Sequence, residues 1–114
     1  MFAGGRVFHV RSEEVCAWQA VVRMVAQAMI PKPHPAFSGA VQLELKFCMK
    51  TKSSKCLQKQ TWHTCRPDVD NLAKPVEDAL TGIAYRDDSQ IARLCVSKVY
   101  KEPEGVEIVI YAAD

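Results

Sequence analysis

Residues 66–91 read RPDVDNLAKPVEDALTGIAYRDDSQI, and this stretch joins a helical pattern to a cluster of acidic residues. Its apolar residues recur at helical spacing and predict an amphipathic helix: Leu72, Val76, Ala79, Leu80 and Ile83. Counted at 100° per residue, Asp70, Lys74 and Asp78 fall on one stripe nearly opposite the apolar set. We therefore expect this helix to bury one face and to present the other, charged face.

The acids on either side of the helix have the residue types of a divalent-cation site. Asp68 and Asp70 flank Val69, so in an extended segment both carboxylates project from one face and suit a hard cation. A helix that folds back toward its own start would return Asp87 and Asp88 to this pair. Such crowding calls for a bound cation or a nearby lysine, and Lys74 is placed for it.

Each acidic pair also has a purely structural interpretation. Asp70 can cap the helix through backbone N–H groups, and residues 87–89 alone are typical of a solvated turn. Taken singly, these interpretations are the more ordinary ones. The combination of both pairs around one helix favours the cation site.

The rest of the chain mixes helical and strand periods. Ser12 is a plausible N-cap for a helix of about four turns that Pro31 ends, with an apolar stripe of Val15, Trp18, Val22, Val25 and Met29. A half-buried strand follows from an alternating apolar set: Val41, Leu43, Leu45, Phe47 and Met49. Residues 91–101 and 106–111 are typical of two strands joined at residues 102–105.

Charge is distributed unevenly, although the total is only +2. From Lys46 to Arg66 there are six basic residues and no acid, which gives +6. Residues 68–88 hold six acids and two bases, which gives −4. Residues 50–64 have no apolar period and predict a mobile basic loop beside the acidic cluster, within a single domain over residues 1–114.

Composition and patterning exclude several classes of protein. The apolar-rich residues 15–30 are interrupted by Gln19, Arg23 and Gln27, which is too polar for a bilayer span. The first eleven residues lack the apolar core of a secretory signal, so we expect a cytoplasmic protein. Five scattered cysteines in a 114-residue chain predict reduced thiols rather than a disulfide framework.

The motif block RPDVDNL, Lys74, DAL and YRDDSQI closely resembles the RusA family of Holliday junction resolvases. The resemblance implies an α/β domain of α+β type, with a mixed sheet and two main helices, that acts as a homodimer. It implies a Mg²⁺-dependent endonuclease, with Mn²⁺ as the alternative ion, that resolves four-way DNA junctions in recombination and repair. A bacterial or phage origin would fit.

Matched to the family's motifs, Asp68, Asp70 and Asp88 are the catalytic and metal-holding residues, and Lys74 is the catalytic lysine. The resemblance also implies a strand before the first helix. Only eleven residues precede Ser12, so we expect that strand to be abbreviated or the start to be truncated.

DNA affinity is assigned to the basic stretch, with phosphate contacts from Lys50, Lys52, Lys55, Lys59 and Arg66. Trp62 and His63 are candidates for stacking on an exposed base, although an aromatic near a strand is usually core. Two other functions stay open. One is a non-catalytic nucleic-acid-binding module, and the other is a small zinc protein that uses Cys48, Cys56, His63 and Cys65 at poor spacing.

Overall fold

The computed structural model of the chain describes residues 6–11, 18–49, 62, 64 and 68–113. Within these residues lie two α-helices and four β-strands, together with one turn of 3-10 helix at Asp88–Gln90. The strands are β1 (Arg6–Arg11), β2 (Val41–Met49), β3 (Ile91–Tyr100) and β4 (Gly105–Ala112). The helices are α1 (Trp18–Met29) and α2 (Val69–Leu80).

The strands form one mixed sheet in the order β1-β4-β2-β3. β4 pairs antiparallel with both β1 and β2, whereas β2 pairs parallel with β3. A parallel pair needs a crossover connection, which the chain supplies between residues 49 and 91 and which contains α2. The expected α+β domain with a mixed sheet and two main helices is confirmed.

The predicted strand over residues 41–49 is confirmed, because its alternate residues are buried against the helices. The helices and one face of the sheet share a core in which Trp18 of α1 stacks on Phe47 of β2, with ring centroids 5.1 Å apart. From α2, the core receives Leu72, Ala73, Val76, Ala79 and Leu80. The helical stripe predicted from sequence therefore faces the core.

Two residues of the predicted helical stripes lie elsewhere. Met29 is 51% exposed on the last turn of α1, because the helix ends there and the next residue, Ile30, enters the core instead. Ile83 is buried, but it lies beyond the end of α2 in the turn that follows. The proposed N-cap Ser12 lies outside the described residues.

β1 supplies the first strand that the short N-terminal segment left in doubt. Its six residues pair in register with β4 from Arg6 opposite Ile110 to Arg11 opposite Gly105. Phe8 and Val10 point into the core. The strand that the family resemblance implies is therefore present.

The strands predicted over residues 91–101 and 106–111 exist, and residues 101–104 join them. They do not pair with each other, because β2 lies between them in the sheet. The connection passes the end of β2, where the Lys101 N–H donates to the Met49 carbonyl at 3.3 Å.

Within the described residues, no helix is long and apolar enough to span a membrane.

Candidate active site

The start of α2 presents two of the predicted aspartates. Asp68 is the N-cap residue in extended conformation, and its carbonyl accepts the first helical hydrogen bond from the Leu72 N–H at 3.2 Å. The Asp68 side chain makes no capping hydrogen bond, which leaves its carboxylate available to a ligand. Asp70 lies inside the first turn of the helix, so the interpretation of Asp70 as the cap is wrong.

Lys74 joins the helix to the acidic turn that follows it. Its Nζ lies 3.1 Å from Asp78 Oδ1, one helical turn onward, and 3.1 Å from Asp88 Oδ2 in the 3-10 turn. Hydrogen bonds to Asp88 and Asp78 raise the pKa of Lys74, so the ammonium is held in its charged form. Because the pair is largely exposed, it adds little stability, and its significance lies in where it puts a positive charge.

The two neighbouring acids of the DDSQ segment have different roles. Asp87 is the N-cap of the 3-10 turn, and its side chain accepts from the Ser89 N–H at 3.2 Å. Hydrogen bonding to Ser89 lowers the pKa of Asp87. Asp88 turns toward Lys74 instead, so the second acid of the pair faces the predicted site and the first one shapes the turn.

Gln90 fixes this turn to the rest of the domain. Its side-chain oxygen accepts from the backbone N–H groups of Arg86 at 2.8 Å and Asp87 at 3.3 Å. Its side-chain nitrogen donates to the carbonyls of Phe37 at 3.0 Å and Gly39 at 2.8 Å. The position of Asp88 therefore depends on a residue that carries no charge.

Glu77 belongs to the same surface, although it is not among the site residues predicted from the sequence. It lines a cleft of about 410 Å³ between α2 and β3 together with Val69, Asp70, Ala73, Lys74, Leu94 and Val96. Burial raises the pKa of Glu77, Lys74 lowers it, and the charges of Asp88 and Asp78 raise it further. The signal was present in the sequence, since Glu77 follows Asp70 by seven residues and so falls on the same helical stripe.

The end of α2 is held by side chains that bond its last carbonyls. The buried Tyr85 hydroxyl donates to the Glu77 carbonyl at 2.8 Å, and the Thr81 hydroxyl donates to the same oxygen at 3.1 Å. Arg23 of α1 donates to the carbonyls of Ala79 and Thr81 at 3.1 and 3.0 Å. These bonds fix the direction in which the chain leaves the helix toward Asp88.

The structure thus brings Asp88 to Lys74 and puts Asp70 and Lys74 on one cleft. The contact that joins α2 to the acidic turn is the ion pair between Lys74 and Asp88, rather than a ring of carboxylates. In the part of the chain that the structure describes, the three metal-ligating side chains with ligand atoms within 4.8 Å of one another are His9, Cys48 and Glu107. The role of Asp68, Asp70 and Asp88 as metal ligands stays a prediction.

The predicted DNA-binding residues Lys50, Lys52, Lys55, Lys59 and Arg66 lie outside the described residues, as do His63, Cys56 and Cys65. Trp62 is described and is 62% exposed, with a bridge to Val99 of β3. The expectation that an aromatic here is core is therefore wrong.

The chain is similar to known proteins over most of its length. The family model described as Endodeoxyribonuclease RusA matches residues 3–111. The uncharacterized protein YqaN of Bacillus subtilis (strain 168) is 36% identical over 88 residues, covering 69% of this chain and 62% of that protein. The crossover junction endodeoxyribonuclease rusA of Lactococcus phage r1t is 38% identical over 86 residues, covering 75% of this chain and 66% of that protein.

The chain thus spans less than two thirds of the length of either of these relatives. The family match, in contrast, includes the whole acidic motif, both described helices and the described strands except for the last residue of β4. On that extent of agreement, the chain belongs to the RusA endodeoxyribonuclease family.

Proposed function

We propose that this chain is a metal-dependent endonuclease that resolves four-way DNA junctions, with Asp68, Asp70, Asp88 and Lys74 as its catalytic residues. The observation that carries the proposal is the 3.1 Å contact between Lys74 and Asp88, which are fourteen residues apart. This contact unites the two halves of the acidic motif on one surface. Family membership and the phage relative named as a crossover junction endodeoxyribonuclease support the substrate class.

The donor set fits a hard divalent cation. Asp68 and Asp70 are exposed carboxylates near the start of α2, and Asp88 offers a third from the following turn. Carboxylate oxygens are the ligands that Mg²⁺ takes in nucleotide-processing sites, and Mn²⁺ accepts the same set. When bound there, the ion would polarise the scissile phosphate and lower the pKa of the attacking water.

The chain's own residues have separable tasks in this scheme. Lys74, kept charged by its two acidic partners, would neutralise negative charge that develops on the phosphate. To do so it must exchange one carboxylate partner for a phosphate oxygen. Its exposed position allows this exchange, because each existing ion pair is weak in water.

Substrate affinity is proposed to come from Lys50, Lys52, Lys55, Lys59 and Arg66. Each phosphate contact releases condensed counterions, so binding is expected to weaken steeply as salt concentration rises. The exposed Trp62 supports a stacking contact with an unpaired base near the crossover. A second copy of the chain would supply the paired cut on the opposite strand, which makes the proposed working unit a homodimer.

The test compares two aspartates that contact the same lysine. Asp88→Asn should retain binding to a four-way junction and abolish its Mg²⁺-dependent cleavage, and Asp70→Asn should do the same. Asp78→Asn is the matched control, because Asp78 also pairs with Lys74 at 3.1 Å but is not one of the residues matched to the family's catalytic positions. The Asp78→Asn variant should still cleave the four-way junction.

Cleavage is measured on a four-way junction and on linear duplex of the same sequence, with and without Mg²⁺. Full cutting by Asp88→Asn would refute the assignment of the catalytic carboxylates. Wild-type protein that shifts the junction in a gel but does not cut it at any metal concentration would identify a binding module instead.

A further inference from the structure

A second cluster of ligand-bearing side chains lies on the sheet, formed by three different strands. It contains His9 of β1, Cys48 of β2 and Glu107 of β4, whose ligand atoms all lie within 4.8 Å of one another. The strand order explains the meeting, because β4 lies between β1 and β2. His9 is directly opposite Glu107 in the register, and Cys48 is opposite Gly105, two residues away.

The cluster lies on the face of the sheet opposite the one that packs against the helices. The sequence neighbours of its members, Phe8, Phe47 and Ile108, point into the core with the helices. Because side chains alternate along a strand, the three ligands project from the other face. This separates the cluster from the aspartates of α2, which are on the helical side.

We propose that His9, Cys48 and Glu107 form a binding site for a zinc-class divalent cation. Imidazole nitrogen, thiolate sulfur and carboxylate oxygen are the three donor types that zinc accepts. Mg²⁺ prefers oxygen ligands alone, so the sulfur and nitrogen of this site select against the ion proposed for cleavage. The chain would thus have two cation sites with different ligand chemistry.

One pair of ligand atoms lies at nearly the separation that a bound ion requires. Cys48 Sγ lies 3.8 Å from Glu107 Oε2. In a tetrahedral zinc site, sulfur and oxygen ligands at their usual bond lengths are about 3.5 Å apart. A shift of a few tenths of an ångström would therefore bring this pair into position.

The surroundings leave room for the ion and a further ligand. A cavity of about 610 Å³ is lined by His9, Cys48 and Glu107 with Val7, Phe8, Lys101 and Pro103. Three protein ligands leave one tetrahedral position, which water from the cavity would fill. Such an ion would tie the edge strand β1 to β2 through β4.

Lys101 now supplies positive charge to this cluster. Its Nζ donates to Glu107 Oε2 at 3.0 Å, the same oxygen that lies next to the Cys48 sulfur. A divalent cation bound to Glu107 would replace this ammonium, and the exposed lysine would swing into solvent. Lys101 therefore competes with the proposed ion for Glu107, so loss of its charge should strengthen metal binding.

The experiment uses Co²⁺ as a spectroscopic probe on the metal-stripped full chain, with Zn²⁺ as the competing ion. We expect one Co²⁺ per chain and a thiolate-to-cobalt charge-transfer absorption that Zn²⁺ abolishes. Cys48→Ser should remove the absorption, and Cys95→Ser should retain it, since Cys95 is an exposed free cysteine outside the cluster. His9→Gln and Glu107→Gln should each weaken binding by at least the roughly tenfold to hundredfold typical of outer-shell changes.

Lys101→Gln should bind Co²⁺ more tightly than wild type, and equal or weaker binding would overturn the assignment of Glu107. Cys48 is buried, so far-ultraviolet circular dichroism of each variant checks folding. If Cys48→Ser does not fold, the half-buried His9 and Glu107 decide the outcome.

His63→Gln and Cys65→Ser separate this site from the alternative zinc set, which shares only Cys48 with it. Both should leave binding unchanged. Absorption that survives His9→Gln but is lost in His63→Gln or Cys65→Ser would overturn the proposal, as would a chain that binds no stoichiometric Co²⁺.

Discussion

Gln90 offers the sharpest test of how the turn that carries Asp88 is held. The substitution Gln90→Ala removes four hydrogen bonds at once, two accepted from the backbone of residues 86 and 87 and two donated to the carbonyls of Phe37 and Gly39. The backbone groups that lose their partner are mostly near solvent and will be hydrated. Each bond is therefore counted at the low end of its usual range, about 0.5 kcal/mol.

The four bonds together give about 2 kcal/mol of the free energy of unfolding. For a domain of this length, that loss corresponds to roughly 8 °C in the midpoint of thermal unfolding. Gln90→Glu should be at least as damaging. It keeps the acceptor oxygens but loses the donor, and it puts negative charge against two carbonyls and beside two acids.

Thermal unfolding followed by circular dichroism measures this difference. Gln27→Ala is the control, because Gln27 is an exposed residue in the last turn of α1 and its truncation should change the free energy of unfolding by less than about 0.5 kcal/mol. A midpoint for Gln90→Ala within the range of this control would refute the reasoning. The position of Asp88 would then have to be fixed by other contacts.

Three further substitutions test the neighbouring contacts, all by urea unfolding. Tyr85→Phe removes the buried hydroxyl that donates to the Glu77 carbonyl and should cost about 1 kcal/mol; an unchanged value would mean that Thr81 alone satisfies this oxygen. Because burial raises the pKa of Glu77, the folded state binds the Glu77 proton more tightly than the unfolded chain does. Glu77→Gln should therefore increase the free energy of unfolding at neutral pH, and this increase should shrink toward pH 4.5. Hydrogen bonding to Ser89 lowers the pKa of Asp87, so Asp87→Ala should destabilise above pH 3.8, and the difference should disappear as the pH falls below it. A gap that widens with acid would contradict either pH argument.

The fold was predictable where a local period decides it. The alternation over β2 and the helical stripe of α2 each predict an element and its buried face, and both are confirmed. The order of strands was not predictable in this way. A four-residue connection between β3 and β4 suggests a hairpin, yet β2 separates them, because pairing depends on which strand edges the rest of the chain leaves open.

The same distinction applies to the candidate site. Lys74 was expected to compensate the acids from its place on the charged stripe, and its contacts with Asp78 and Asp88 agree with that expectation. The sequence alone does not tell why Asp88 rather than Asp87 faces the lysine. Asp87 and Asp88 are adjacent residues of the same type. Their side chains point in different directions because Asp87 caps the 3-10 turn that begins at Asp88.

The meeting of Lys74 and Asp88 also depends on residues without any charge. Fourteen residues along one helix would separate the two by about 21 Å, so the 3.1 Å contact exists only because the chain reverses after α2. Gly82 makes that reversal with φ at +88°, a conformation that other residues rarely adopt, and its N–H donates to the Tyr85 carbonyl at 2.7 Å. Gln90 then closes the turn from the other side. The glycine, the tyrosine and the glutamine of this motif are therefore expected to tolerate substitution as poorly as its acids do, because they set the distance across which those acids act.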